Sequence, residues 1–253
     1  MSDFPQTMSW ASRFWAVLAK VEACCDRLVH NTHYQKIEEK CLARMMARFR
    51  GKDVLDVGCG HGKYMQMLEE KGCRVTGVDI NPEQVASLCK AGQRAFTPEA
   101  LPTDVRYDLI LMAHVIEHME TEDLVAFMDR YLPLLKTDGK LIIVTPMPGD
   151  RFYYDFTHVR PYLPQSIRMM FGGIVTPSSI QAGHRMTLED IYFFKDSWRL
   201  RNFRAFYPFC ENRLARKGLW LCNVCLAMLH SLSGGRLGAT ASWLGIYGNT
   251  RCD

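Results

Sequence analysis

The stretch that decides the fold runs from Asp53 to Asp79, DVLDVGCGHGKYMQMLEEKGCRVTGVD. It reads as strand, glycine loop, helix, strand. Val54, Leu55 and Val57 form a short apolar run, the pattern of a strand buried on both faces. Gly58, Gly60 and Gly62 follow at once. They permit a sharp backbone bend and the close approach of a ligand to the main chain. Lys63 to Lys71 has helical composition, with Tyr64, Met67 and Leu68 on one side, and Gly72 is a helix stop. Val75, Gly77 and Val78 make the second strand, which ends in Asp79. A carboxylate there can accept from both hydroxyls of a ribose, as in doubly wound nucleotide-binding folds.

The glycine spacing separates two cofactor classes. Dinucleotide folds use GxGxxG, which seats a pyrophosphate on a helix N-terminus. Here Asp56-Val57-Gly58-Cys59-Gly60-His61-Gly62 gives DxGxGxG. With this loop and its acidic strand end the chain resembles the class I S-adenosylmethionine (SAM)-dependent methyltransferases, from roughly Tyr34 to Phe194. The resemblance implies SAM as cofactor, held at Asp56, Gly58, Cys59, Gly60, His61 and Asp79. Ile80 would lie beside the adenosine. Ala113 and His114, just past the fourth strand, would line the sulfonium end. Leading helices often lie over the cofactor mouth in this family, and Tyr34 is a candidate contact. Where family members place an acidic side chain near the adenine, this chain offers Thr97, Pro98 and Glu99.

The remaining sequence supports an α/β chain with a doubly wound, mostly parallel, seven-stranded sheet. Amphipathic helices are expected over Met8 to Leu28, with Ala11, Phe14, Leu18, Val21, Cys25 and Leu28 as its stripe, and over Tyr34 to Phe49, with Ile37, Cys41, Met45 and Phe49. Asn81 and Pro82 read as N-cap and first residue of a helix. Strands follow at Arg94 to Phe96, Tyr107 to Ala113 and Lys140 to Thr145, with a helix over Leu124 to Leu135 and a turn at Asp138-Gly139. A short helix over Gln165 to Phe171 and strands near Ile174 to Ile180 and Asp190 to Phe194 complete the expected sheet. This alternation places helices on both faces and the ligand beyond the carboxyl ends of the strands. The expected organisation is a helical cap over 1–50, a core over 51–195 and a helical extension over 196–253.

Chemistry is expected on the loop Pro146 to Pro164, PMPGDRFYYDFTHVRPYLP, because loops on a rigid scaffold carry function. Its D-x-T-H-x-R segment resembles one found in a subset of bacterial-type methyltransferases, several of which modify sugars or glycans. Methyl transfer from a sulfonium needs no acid, but an alcohol acceptor must lose its proton. Imidazole titrates near working pH and suits that role. The expected set is His158 as general base, Asp155 as its orienter or as acceptor of a substrate hydroxyl, and Arg160 as a clamp for a phosphate or carboxylate. The alternative is that His158 and Arg160 only tie the loop down. His118 is expected to order the loop. Tyr153 and Tyr154 could stack on a sugar ring, and His184 and Arg185 rank second as substrate residues. No metal is expected.

The chain has 253 residues, 48% hydrophobic content and a formal charge of +4. These values are those of an ordinary globular protein and demand no nucleic-acid partner; none is expected. The ten cysteines show no paired zinc spacing. The N-terminus lacks a basic region followed by an apolar core, so reduced thiols in a cytoplasmic protein are expected. Trp198 to Arg216 mixes arginines with aromatics, and Leu219 to Leu232 is nearly all apolar. Two readings stand for 198–232: a helix packed on the domain or across a homodimer, or an interfacial helix whose basic flank meets anionic membrane. The function expected from all this is O-methylation of a small-molecule or saccharide-type acceptor. Its rivals are N- or C-methylation of another acceptor, tRNA and protein included, and a SAM-binding partner module without catalysis.

Overall fold

A computed structural model describes residues 10–149, 152–173, 180–200 and 213–249. The chain forms two compact units. The first comprises Met1–Ile37 and Lys195–Ala239, the second Glu38–Phe194 and Thr240–Asp253.

The second unit holds the sheet. Strands β1 (Asp53–Val57), β2 (Arg74–Val78), β3 (Ala95–Phe96), β4 (Tyr107–Ala113) and β5 (Leu135–Pro146) pair in parallel. With β6 (Met186–Asp196) and β7 (Ala239–Asn249) the order is β3-β2-β1-β4-β5-β7-β6. The reversal between β1 and β4 is the switch point at which α/β sheets open a crevice for a ligand. Val54, Leu55, Leu109, Ile110, Leu141 and Ile142 are wholly buried, as central parallel strands require. Helices α3 (Lys63–Glu70), α4 (Pro82–Lys90), α5 (Thr121–Tyr131) and α6 (Pro164–Met170) connect the strands. Asn81 caps α4 as expected, its side chain accepting from the Glu83 and Gln84 amides at 3.0 and 3.3 Å.

Four local expectations change. Strand β6 covers 186–196, wider than Asp190 to Phe194; of the strand expected near Ile174 to Ile180, residues 174–179 lie outside the described residues. The seventh strand comes instead from 239–249, inside the stretch read as a helical extension. It pairs antiparallel with β5, from Lys140↔Gly248 to Pro146↔Ser242. Its residues ATASWLGIYGN are β-formers that bury Trp243, Leu244 and Tyr247, a pattern hidden in the sequence by the apolar run before it. Asp138-Gly139 is no hairpin turn: the β4–β5 register jumps from Tyr107↔Leu135 to Leu109↔Lys140, so the intervening residues bulge within β5. Helix α2 (Tyr34–Met46) buries Glu38, Leu42, Met45 and Met46; of the expected stripe Met45 is buried and Ile37, Cys41 and Phe49 are half-buried, so the buried face is centred about one position further on.

In the first unit, α1 (Trp10–Asn31) and α7 (Arg213–Leu232) lie together. Trp220 Nε1 donates to Asp26 Oδ1 at 2.7 Å, and Arg199 donates to the Val29 carbonyl at 2.7 Å. The stripe expected to pack α1 is largely in solvent: Phe14, Leu18 and Val21 are exposed. Most of the arginine-aromatic stretch, 201–212, lies outside the described residues.

Candidate active site

At the carboxyl end of β1 the chain turns through Gly58, Gly60 and Gly62, with φ of +77°, +51° and +78°. This left-handed region is costly for any side chain but absent Cβ. A Cβ on Gly58 would collide with Val115, so the glycine serves both conformation and space. The amides of Gly58 and Cys59 donate to the Val78 carbonyl at 2.8 and 3.1 Å, which pins the loop to β2.

Asp79 is joined to this hinge. The Gly60 amide donates to Asp79 Oδ2 at 2.8 Å, and the Asn81 amide donates to Oδ1 at 2.9 Å. Each carboxylate oxygen keeps a further lone pair, the arrangement a vicinal diol needs. Ile80, next to it, is 85% exposed and offers an apolar surface at the same mouth. His61 is also exposed, whereas Cys59 turns inward; burial and the Asp56 charge push its thiol up to about 12.

Asp56 is 1% exposed, and its Oδ2 has no hydrogen-bond partner. Burial, with Asp79 nearby, raises its pKa to about 7. A buried unpartnered acceptor is costly, and here it points to a donor or cation supplied by a ligand. The hinge, the diol-ready carboxylate and this orphaned oxygen fit SAM, with its ribose hydroxyls and ammonium.

At the end of β4 the structure adds a feature that sequence reasoning missed. His114 has φ +58°, the one positive φ outside glycine among the described residues. Its Nε2 lies 2.8 Å from Glu38 Oε1, and its Nδ1 lies 3.3 Å from Glu117 Oε1. Both carboxylates are buried. Burial opposes charge on the ring, but Glu117 and Glu38 outweigh it and push the His114 pKa up to about 10. The group is an imidazolium between two carboxylates. Glu38 also accepts from Ser242 Oγ at 2.7 Å, and Glu117 from Thr145 Oγ1 at 3.0 Å. The network thus joins α2, β4, β5 and β7. The only sequence signal for Glu38 was a charged residue beside an apolar stripe, which ordinarily means solvent. Ala113 is buried at the strand end.

The loop after β5 docks on the same edge. The amides of Val159 and Arg160 donate to the Glu117 carbonyl at 2.8 and 3.2 Å. His118 Nδ1 lies 3.0 Å from the Thr157 carbonyl, so His118 orders the loop. His158 is partly buried, its ring 4.7 Å from Phe152 and 5.0 Å from His118. Its Nδ1 lies 2.8 Å from the Phe152 carbonyl. A carbonyl only accepts, so Nδ1 carries the proton and Nε2 keeps a lone pair. Asp155 is engaged by Thr157 and lies near His158. Its Oδ1 accepts from the Thr157 amide and hydroxyl at 3.0 and 2.6 Å, which hold its pKa below the usual carboxylate range. Its Oδ2 is 3.8 Å from His158 Nε2. Arg160 Nη1 donates to Thr121 Oγ1 at 2.9 Å, at a cavity of about 340 Å³ lined also by Tyr162, Ile167 and Met170. Tyr153 and Tyr154 are exposed.

Glu117, His118 and His158 each bring one potential ligand atom within 4.8 Å of the others; all three already hold or pack the loop. Tyr34 belongs to the first unit, with its ring 4.8 Å from that of His33. The hinge and loop described above lie within the second unit.

The family model for the methyltransferase domain matches residues 29–198, two thirds of the chain. The chain belongs to the methyltransferase-domain family. Its fold is that of SAM-dependent methyltransferases. Among curated relatives, the ubiquinone biosynthesis O-methyltransferase of Rhodopseudomonas palustris (strain HaA2) is 29% identical over 111 residues, 41% of this chain and 43% of that protein. The methyltransferase chain thus spans less than half the length of such relatives. Two solved structures share the fold. A SAM-dependent methyltransferase from Archaeoglobus fulgidus has a TM-score of 0.56 at 22% identity, covering 85% of this chain and 94% of that one. The N-methyltransferase NodS from Bradyrhizobium japonicum has a TM-score of 0.52 at 14% identity, covering 86% and 97%.

Proposed function

We propose that this methyltransferase acts on an oxygen of a small-molecule or saccharide-type acceptor, with His158 as the general base. The observation that carries the reading is the bond between His158 Nδ1 and the Phe152 carbonyl. It fixes the tautomer and leaves the Nε2 lone pair ready for a proton. Phe152 is buried beneath the ring, so the imidazole cannot easily turn away. SAM supplies an electrophilic methyl group on a sulfonium and departs as S-adenosylhomocysteine. Asp56, Gly58, Gly60 and Asp79 hold the cofactor, and Ile80 and His61 flank it. His158 Nε2 takes the acceptor hydroxyl proton. Asp155 lies close enough to steady the resulting imidazolium. Arg160, already braced by Thr121, receives an anionic group of the acceptor at the mouth of the cavity. The O-methyltransferase relatives lend support for oxygen as the acceptor atom.

The test is formation of S-adenosylhomocysteine with a panel of phenolic and saccharide acceptors. His158→Ala should bind SAM with unchanged affinity and lose about 10³-fold in kcat, the usual range for a general base. Full turnover by that variant would remove the base assignment.

A further inference from the structure

We propose that the first unit docks on an anionic lipid bilayer through the outward faces of α1 and α7. Outward positions of α7 include 218, 221, 225, 228 and 232, spaced by threes and fours along one face of the helix. They hold Gly, Leu, Cys, Met and Leu, with no charge among them. Leu221, Met228 and Leu232 are 56%, 50% and 86% exposed, and a Cβ on Gly218 would meet open space. The opposite face is already buried through Val224, Ala227 and His230. A surface helix normally turns its polar side to water; this one turns an apolar side. Helix α1 adds exposed apolar side chains, Phe14, Leu18 and Val21 at spacings of four and three with 51%, 39% and 52% exposure, and Trp15 and Val17 beside them at 64% and 60%. Adjoining apolar area of this kind marks a surface that something covers.

Charge decides what covers it. The sequence of the first unit holds twelve Lys and Arg against five Asp and Glu, an excess of seven positive charges. The second unit holds 19 against 22. The chain's mild net charge therefore hides a basic unit joined to a weakly acidic one. Lys20 and Arg27 lie on the flank of α1, and Arg216 and Lys217 on the first turns of α7; all four are exposed. Of the acidic residues nearby, Asp26 accepts from Trp220 and Glu22 shares a groove with Arg216 and Lys217. A second copy seated symmetrically on the same face would set one basic unit against another, which opposes association. An anionic bilayer supplies both the apolar layer and the countercharge. No described helix is long and apolar enough to cross a membrane, so the contact lies in the interfacial plane. Exposed Trp15 and Trp198 suit that depth. This inference is independent of the acceptor assigned above.

Flotation of the full chain with vesicles provides the test, using pure phosphatidylcholine and a mixture of phosphatidylcholine with phosphatidylglycerol. The anionic vesicles should bind at least tenfold more protein, and raising the salt from about 0.1 to 0.5 M should release most of it. Leu221→Glu with Met228→Glu should lower binding at least tenfold while SAM affinity and the circular dichroism spectrum stay unchanged, because both side chains face solvent. Arg216→Glu with Lys217→Glu should abolish the preference for anionic lipid. Equal binding to both vesicles, or binding to neither, would overturn the proposal. So would a sedimentation experiment showing a dimer that the Leu221→Glu/Met228→Glu variant dissociates, since a second copy would then be the occupant.

Discussion

The glycine hinge and the side-chain network beside it are made of different material. The hinge is main chain: three glycines in left-handed conformations, two amides on the Val78 carbonyl, and a carboxylate bound to the Gly60 amide. The network is side chain on side chain or on a carbonyl: His114 between Glu38 and Glu117, His158 against Phe152, Arg160 against Thr121. Backbone sites of this kind recur because few sequences can make the turn. Side-chain networks are assembled from residues far apart in the chain, so they depend on the finished fold and not on a local pattern.

Removing the imidazolium strains this comparison hardest. His114→Gln would leave Glu38 and Glu117 buried without their cation, and breaking a buried pair costs about 3 kcal/mol. The loss is read from urea denaturation. Its pH dependence has a definite sign. Folding raises the His114 pKa from 6.5 to about 10, so the stability it contributes is complete below 6.5 and is lost as pH climbs through 10. Wild type and variant should therefore converge in stability above that pH. A difference that stayed constant to pH 11 would show that the ring acts by shape alone.

The hinge is tested next by Gly58→Ala. The added methyl group meets Val115 in a backbone region that L residues avoid. We expect SAM affinity to fall about 30-fold, or about 2 kcal/mol, by calorimetry. The smallest effect is expected at Asp155. Because the Phe152 carbonyl already sets the His158 tautomer, Asp155→Asn should change kcat less than about fivefold, or about 1 kcal/mol. A loss as large as that of His158→Ala would mean that Asp155 orients the base after all.

The same division explains what the amino-acid sequence reveals. Asp56, Gly58, Gly60 and Asp79 are legible because conformation and spacing are local properties, and all four meet at the sheet edge. The parallel core strands are legible from their apolar runs. Glu38 is not, because its reason for burial lies 76 residues away at His114 and 204 away at Ser242. Strand β7 is obscured because it follows a long apolar helix and pairs with β5, a partner about a hundred residues earlier. The bonds from Thr157 to Asp155 are not legible, because spacing does not show which neighbour engages a loop carboxylate. On α1, the three-and-four spacing of Phe14, Leu18 and Val21 suggests a packed stripe, but all three are exposed, and periodicity does not say whether anything lies against an apolar stripe.

Strand β7 enters the sheet between β5 and β6, although it is the last of the described strands in chain order. A ribosome delivers β1 to β6 first; β1 to β5 can pair among themselves, but β5 and β6 lack the strand between them until 239–249 emerges. Ser242 then closes the carboxylate of Glu38. The emerging polypeptide therefore has its glycine hinge early and the Ser242–Glu38 bond late, so a chain released before 239–249 would carry the hinge with that buried carboxylate still unclosed.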